Sequence, residues 1–217
     1  MGASSVEPTR IIAIRHGVTA WNVDSRIQGQ LDIPLNDTGR QQAHRLALAL
    51  AGQPITAIYA SDLWRAYDTA LYVSRAVDVD VTTDEGLRER SFGEFQGKTF
   101  ADIEALHPEQ AQRWRKREPA FAPPGGESLL QLRERVVGTA GRLAALHPGE
   151  LIALVSHGGV MDVLYRAATR LDLQAPRTWE LGNAAINRLL WSPDGFSLVG
   201  WADTAHLDDD VLDEASA

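Results

Sequence analysis

Three short stretches of the sequence each place a cationic or titratable side chain directly after an apolar run. They are "RHG" at Arg15–Gly17, "SDLWRA" at Ser61–Ala66 and "SHGG" at Ser156–Gly159. Clustered guanidinium and imidazole groups repel one another unless an anion lies between them, and the arginine fork matches phosphate oxygens in a bidentate way. The stretches therefore predict a phosphoryl pocket. Its members would be Arg15, His16, Arg65 and His157.

Glycines in the same stretches would let backbone amides approach the same anion. Gly158 and Gly159 also open a predicted helix, whose N-terminus attracts negative charge. A single histidine after a strand is most often a structural residue, and a single helical arginine is most often a surface residue. The repetition of the pattern at three strand ends is what favours a site over these simpler interpretations.

An alternation of strands and helices must position these side chains. Short apolar runs rich in branched residues predict strands, and segments with one apolar stripe predict amphipathic helices. The predicted strands cover residues 10–14, 55–60, 79–83 and 150–156. The predicted helices cover residues 37–51, 61–77, 129–147 and 158–171, with caps at one of residues 36–38 and at Ser128.

The C-terminal part differs, because "AINRLLW" and "FSLVGWA" flank the turn sequence "SPDG" and predict a hairpin. The whole pattern predicts an α/β fold. We expect a three-layer sandwich with a mostly parallel sheet, one antiparallel strand and helices on both faces. Ligands of such sheets collect beyond the carboxyl ends of the strands, where the three stretches lie. We predict a single domain over residues 1–217, with a lid-like insertion at about 90–126 and flexible tails at 1–9 and 205–217.

Composition narrows the classes of partner. The 217 residues can bury about 70% of their unfolded surface, and the formal net charge of −8 argues against a nucleic-acid partner. The chain contains no cysteine, which excludes disulfides, thiolate nucleophiles and Cys-based zinc sites. No apolar run reaches the roughly 18 residues of a membrane span. We expect a cytoplasmic protein that acts on a small molecule and has no membrane partner.

Five motifs together resemble the histidine phosphatase superfamily. They are "RHG" with "TAWN" downstream, "SDLWRAYDTA", "LRERSFGEFQG", "GGES" and "SHGG", in the order and spacing of the family from about Ile11 to Trp201. The branch concerned contains cofactor-dependent phosphoglycerate mutases and small broad-specificity phosphatases, and the latter are the more similar. The resemblance implies an enzyme of the phosphatase type. Dimers are common in this family, so a homodimer is an alternative to a monomer.

The resemblance also assigns roles. His16 matches the histidine that attacks phosphorus, Glu89 matches the proton donor, and the oxygens of the phosphoryl group would be bound by Arg15, Arg65 and His157. The same chemistry follows from the residue types, since phosphoryl transfer requires positioning and charge neutralisation. The two arginines and His157 supply both without a metal ion. Further predicted substrate ligands are Thr19, Asn22, Gln28, Gly29 and the backbone of Gly158.

Two features favour hydrolysis over mutase activity. The mutases have glutamate after "RHG", whereas this chain has Val18, and the insertion is short for a mutase lid. The expected reaction is metal-independent hydrolysis of a phosphomonoester through phosphohistidine, on a small anionic metabolite. The alternative is a phosphoglycerate mutase, which would need 2,3-bisphosphoglycerate as its cofactor; otherwise no cofactor is expected. A more remote alternative is an inactive phosphate-binding scaffold.

One basic run in the insertion favours the mutase alternative. "RWRKRE" at Arg113–Glu118 resembles a stretch that mutases use to bind the second anionic group of the substrate. We expect that Arg113, Arg115 or Lys116 turns inward, with Arg115 and Lys116 as candidate substrate ligands. The simpler interpretation is a solvated end of a helix.

Overall fold

The computed structural model describes residues 7–208 and arranges them around one six-stranded sheet. The strand order is β3-β2-β4-β1-β5-β6. Strands β1 to β4 pair in parallel, and β5 runs antiparallel to both of its neighbours, so five of the six strands run in one direction. This confirms the predicted, mostly parallel sheet with one antiparallel strand. The strands are β1 (Thr9–Arg15), β2 (Ile55–Ala60), β3 (Val81–Thr83), β4 (Leu151–Ser156), β5 (Ile186–Ser192) and β6 (Gly195–Asp203).

Helices cover both faces of the sheet, as predicted. One face packs against α2 and α3, and the other packs against α6 and α7. Successive side chains of a strand point to opposite faces, so in β1 Ile12 and Ile14 contact the first layer while Ile11 and Ala13 contact the second. A strand covered on both sides is apolar throughout. The helices are α1 (Ala20–Val23), α2 (Asp37–Leu50), α3 (Trp64–Val77), α4 (Phe100–Leu106), α5 (Pro108–Arg115), α6 (Leu129–Ala144) and α7 (Gly158–Thr169).

The ends of two helices follow the predicted capping residues. Asn36 caps α2 by accepting the amide of Gly39, and Ser128 forms a capping box with Gln131 at the start of α6. Strand β3 begins two residues later than predicted. The left-handed Asp78 (φ 57°) ends α3, so the next two residues belong to the turn.

The insertion at residues 90–126 forms a small core of its own. Phe95, Ile103, Ala111 and Phe121 are buried together, and the ring of Trp114 packs against this cluster. Because the cluster is apolar, α4 and α5 have a fixed inner side, and their other sides face solvent. The insertion thereby supplies one wall of the cavity described below.

Both ends of the described chain extend further into the fold than the predicted tails allow. Thr9 pairs in β1, and its hydroxyl donates to the carbonyl oxygens of Ala144 and His147 at 2.8 and 2.9 Å. A short 3₁₀ turn forms at Ala205–Leu207. The rest of the predicted tails, residues 1–6 and 209–217, lies outside the described residues. Within residues 7–208, no helix is long and apolar enough to cross a membrane.

Candidate active site

The four predicted cationic groups come together at the carboxyl ends of β1, β2 and β4. These three strands are adjacent in the sheet, so the loops that follow them meet. The Nε atom of Arg65 lies 3.3 Å from Nε2 of His16, and the rings of His16 and His157 are 5.3 Å apart. Gly158 lies directly against Arg15, because a Cβ atom there would be in van der Waals contact with the guanidinium Nε at 3.4 Å. The topology thus brings residues from distant parts of the sequence to one point.

His16 is oriented by its own loop. Its Nδ1 atom lies 2.7 Å from the carbonyl oxygen of Gly17, a contact that requires the proton on Nδ1 and leaves a lone pair on Nε2. Burial lowers the pKa of His16 well below its usual value, and the charges of Arg65 and Arg15 lower it further. The ring is therefore a neutral imidazole, which is the form that can act as a nucleophile.

His157 and Arg15 present polar atoms that have no partner among residues 7–208. Both ring nitrogens of His157 and the Nε of Arg15 are buried and make no hydrogen bond within this described range. Leaving such groups unpaired costs free energy, and an oxyanion between them would remove this cost. Burial also lowers the pKa of His157 well below its usual value, helped by the charges of Arg65 and Arg15. The unpaired atoms indicate where an anion binds.

Arg65 is fixed from the loop that precedes α2. Its Nη2 and Nη1 atoms donate to the carbonyl oxygens of Gly29 and Leu31 at 2.7 and 2.8 Å. Burial lowers the pKa of Arg65 to about 10, so it remains charged. Gly29 has φ +53°, and a Cβ atom there would lie 2.3 Å from Oε1 of Gln96. Gly29 contributes to the site by positioning Arg65, whose Nη2 donates to the Gly29 carbonyl oxygen.

Three other predicted ligands form one polar network after β1. Thr19 caps α1, and Asn22 returns the contact by accepting the Thr19 amide at 3.0 Å. The Thr19 hydroxyl also lies 3.0 Å from Oε1 of Gln28. Thr19 and Gln28 are buried, so this network orders the loop between His16 and Gly29.

Glu89 lies at the N-terminus of α7, beside the cationic cluster. Its carboxylate accepts the Gly159 amide at 3.0 Å and the Arg90 amide at 2.7 Å. Its charge raises the pKa values of Arg15 and Arg65, in opposition to burial. A Cβ atom at position 159 would lie 2.3 Å from Oε1 of Glu89, so glycine is required for this approach. The predicted proton donor is therefore next to the predicted anion site.

A cavity of about 430 Å³ opens beside Arg15, between the strand ends and the insertion. Phe92, Trp114 and three leucines supply its apolar surface, and Asp162 supplies the carboxylate among its described lining residues. The cavity is rich in guanidinium groups. These belong to Arg15, Arg90, Arg117 and Arg177.

The basic run of the insertion does not turn Arg113, Arg115 or Lys116 inward as predicted. Arg113 and Arg115 are exposed and pair with Glu118 and Glu104 at 2.7 and 2.9 Å. Their guanidinium groups lie over the rings of Phe121 and Phe100, 4.8 and 4.7 Å from the ring centroids, on the outside of the insertion. Lys116 is also exposed. The structure therefore does not bring Arg113, Arg115 or Lys116 to the cavity.

Arg117, at the end of the same run, takes their place. It adopts the left-handed conformation (φ 52°), which turns the chain after α5 and directs the side chain inward. Its Nη2 atom lies 2.6 Å from Oδ2 of Asp162, and both residues line the cavity. The helical period of α5 gives no signal for this contact, because Arg117 follows the last helical residue.

Sequence patterns also gave no signal for residues from the irregular segment between α7 and β5. The carbonyl oxygen of Leu181 accepts Nη1 of Arg15 at 2.5 Å, and the Asn183 amide donates to the His16 carbonyl oxygen at 2.8 Å. Arg177 lowers the pKa of Arg15 through charge repulsion. These residues follow no strand-end pattern, so only the tertiary structure places them at the site.

No metal ligand set is found in the part of the chain that the structure describes. Within residues 7–208, no group of three or more His, Asp or Glu side chains is arranged to bind a metal ion. The dense carboxylate cluster of the sequence begins at Asp208, and its other members, Asp209 and Asp210, lie outside the described residues.

The burial of the two histidines has a measurable consequence. We expect the ring nitrogens of His16 and His157 to keep the chemical shifts of neutral imidazole as the pH falls through 6.5, because burial lowers both pKa values in the folded state. The unfolded chain takes up these protons near pH 6.5, so stability is lost as the pH falls below that value. Nitrogen-detected NMR titration, with signals assigned from His16→Asn and His157→Asn variants, measures this. Titration of either ring with a midpoint near 6.5 contradicts the burial argument.

Comparison with known proteins identifies a family model, a relative and solved structures that are similar to this chain. Residues 11–204 match the family model of the histidine phosphatase superfamily (branch 1). The chain is 36% identical over 211 residues to phosphoglycerate mutase-like protein 4 of Arabidopsis thaliana, covering 95% of this chain and 90% of that protein. A mycobacterial glucosyl-3-phosphoglycerate phosphatase complexed with VO3 is 34% identical, with a TM-score of 0.80 over 90% of this chain and 99% of that one. A phosphoserine phosphatase mutant of Entamoeba histolytica, in complex with phosphoserine, is 27% identical, with a TM-score of 0.83 over 92% and 100% of the two chains.

Proposed function

Because the chain belongs to the histidine phosphatase superfamily and is an enzyme of that phosphatase type, we propose that it hydrolyses a small anionic phosphomonoester through a phosphohistidine at His16. The observation that carries the proposal is the set of unpaired polar atoms around that ring. Arg15 Nε and both nitrogens of His157 are buried next to a neutral imidazole, and no group of the described chain forms a hydrogen bond with them. A phosphoryl group is an anion whose several oxygens can accept from all of them.

In the first half-reaction, the lone pair on Nε2 of His16 attacks phosphorus. A P–N bond forms while the bond between phosphorus and the leaving oxygen breaks. The contact between Nδ1 and the Gly17 carbonyl oxygen supports this assignment, since it fixes the tautomer. The N–H of Arg65 that now points at Nε2 would move to a phosphoryl oxygen, where it stabilises the developing charge.

Glu89 serves both half-reactions. In the first half-reaction, its carboxyl proton would pass to the leaving oxygen. The resulting carboxylate then removes a proton from water, the water oxygen attacks phosphorus, and the P–N bond breaks. His16 regains its lone pair and inorganic phosphate leaves. The position of Glu89 next to Arg15 and the predicted anion site supports this role.

Charge neutralisation in this scheme comes from side chains of the protein. Arg15, Arg65 and His157 face the transferred group, and we therefore propose that hydrolysis needs neither a metal ion nor an organic cofactor. The partner is a small phosphomonoester. The excess of guanidinium groups in the cavity supports an anionic substrate.

A mutase that uses 2,3-bisphosphoglycerate is the second candidate. The name of the Arabidopsis relative favours it. Two observations favour hydrolysis: several solved relatives are phosphatases, and Val18, which follows the His16 loop glycine, brings no charge to the site. An inactive scaffold is disfavoured, because His16, Glu89 and the anion-binding groups are all present and adjacent.

Phosphorus NMR of the purified protein distinguishes these candidates. The sample contains 3-phosphoglycerate, a trace of 2,3-bisphosphoglycerate and EDTA, and p-nitrophenyl phosphate is tested in a parallel sample. We expect inorganic phosphate to appear well ahead of 2-phosphoglycerate. Appearance of the 2-phospho isomer first would identify a mutase, and turnover that occurs only in a parallel sample without EDTA would contradict the metal-independent mechanism. Absence of turnover of both esters would favour the scaffold.

A further inference from the structure

The segment between α7 and β5 is fixed against the active site at two points. The carbonyl oxygen of Leu181 accepts a guanidinium N–H of Arg15, and the side-chain amide of Asn183 donates to the backbone of His16. These contacts join the segment to the residues assigned to phosphate binding and attack. Arg177 lies four residues before Leu181 and lines the cavity beside Arg15.

An aromatic stack holds the other end of this segment. The ring of Trp179 is buried and stacks on Tyr165 of α7, with centroids 4.0 Å apart. The guanidinium of Arg166 lies 4.7 Å from the centroid of the Trp179 ring. Arg177 is two residues before Trp179, so its backbone is anchored although its side chain is exposed. A cation carried on an anchored backbone can select for charge at a defined place.

Arg177 has no counter-ion among residues 7–208. No carboxylate of the described chain lies within ion-pair distance of its guanidinium, whereas Arg117 in the same cavity pairs with Asp162 at 2.6 Å. Arg177 is also close enough to Arg15 for its charge to lower the pKa of that residue. Two like charges that face each other across a cavity are unfavourable unless a ligand brings negative charge between them.

A phosphoryl group bound at Arg15 would leave the other arginines of the cavity without a negative partner from the substrate. Arg15, Arg65 and His157 are already assigned to the phosphoryl oxygens, whereas Arg177 lines the cavity without a place in that set. Arg90 lies on the same cavity, with two of its nitrogens fixed on the carbonyl oxygens of Glu127 and Phe121 at 2.8 and 3.0 Å. Excess positive charge beyond the phosphoryl site predicts a second negative group on the substrate.

We propose that Arg177 is a specificity-determining residue that binds a carboxylate or a second phosphoryl group on the leaving part of the substrate. The proposal rests on the phosphomonoesterase function proposed above and adds the residue that reads the leaving group. A guanidinium binds such an oxyanion through charge-assisted hydrogen bonds. Their loss costs about 10- to 100-fold in transition-state affinity.

Two substrates of matched size test this assignment. 3-Phosphoglycerate carries a carboxylate where glycerol 3-phosphate carries a neutral hydroxymethyl group. For Arg177→Gln, we expect kcat/KM to fall about 10- to 100-fold on 3-phosphoglycerate and to change less than about 3-fold on glycerol 3-phosphate. Arg177→Lys keeps the charge without the fork, so it should restore part of the loss.

Arg170→Gln is the matched control. Arg170 is an exposed arginine at the end of α7 that borders a different surface groove, so its replacement removes the same charge away from the cavity. We expect less than a 2-fold effect on both esters, by analogy with remote surface charges. Circular dichroism confirms that each variant is folded.

Three results would overturn the proposal while leaving the phosphatase function in place. One is an equal loss on both esters in Arg177→Gln, which would assign Arg177 to the transferred phosphoryl group. Another is no loss on either ester. The third is a wild-type kcat/KM for 3-phosphoglycerate that does not exceed that for glycerol 3-phosphate. In contrast, a wild-type protein that hydrolyses neither ester nor p-nitrophenyl phosphate contradicts the proposed function itself.

Discussion

His16→Ala is expected to lower kcat by about 10⁴-fold or more on every phosphomonoester that the enzyme hydrolyses. The variant lacks the nitrogen that attacks phosphorus, and the neighbouring ring of His157 lies 5.3 Å away, centroid to centroid, with its own place in the anion site. Anion binding should survive, because Arg15, Arg65 and His157 remain. We expect the dissociation constant of inorganic phosphate, measured by calorimetry, to change less than about 10-fold, since a neutral imidazole contributes no charge.

The matched control is His44→Ala. His44 is an exposed histidine on α2, and its replacement should leave kcat within about 2-fold of wild type. The pair separates the loss of a nucleophile from a general effect of removing an imidazole. More than about 1% residual activity in His16→Ala, with the contaminating host activity subtracted, would point to another nucleophile.

Glu89→Gln is expected to lower kcat by about 10²- to 10⁴-fold on alkyl phosphates, since general acid–base catalysis contributes that range. The glutamine oxygen can still accept the amides of Gly159 and Arg90, so the local structure is kept. The variant loses the transferable proton and also the negative charge beside Arg15 and Arg65. An alkoxide leaving group needs that proton, and the attacking water needs the base.

With p-nitrophenyl phosphate the same variant should behave differently. The nitrophenolate leaves without a proton, so the first half-reaction stays fast while the second is slow. Rapid mixing should show a burst of nitrophenolate equal to the enzyme concentration, followed by slow turnover. Glu94→Gln, which changes an exposed carboxylate of the same segment, should show neither the loss nor the burst. Equal losses on both kinds of ester without a burst would contradict the role of Glu89.

The catalytic cluster could be predicted from sequence because it lies where parallel strands end. Arg15, His16 and His157 each follow a run of buried apolar residues, and Arg65 follows the third such run after a short turn. The sheet order then requires these positions to be neighbours. No long-range information beyond the fold class is needed to bring such residues together.

The leaving-group side of the cavity could not be predicted in this way. Arg177 lies in an irregular segment whose path depends on the stacking of Trp179 on Tyr165, a contact that no periodicity encodes. Arg117 enters the cavity because one left-handed residue turns the chain after α5. The sequence instead suggested Arg115 and Lys116, since a basic run gives charge but not the direction of each side chain.

The transfer of the phosphoryl group through His16 is tested most directly by its stereochemistry. An ester with an isotopically chiral phosphoryl group is incubated with the wild-type enzyme and an alcohol acceptor in EDTA, and the configuration of the transferred group is determined. Attack by His16 followed by attack by the acceptor inverts phosphorus twice, so the account predicts retention of configuration. Inversion would show a single direct displacement and would contradict the phosphohistidine intermediate.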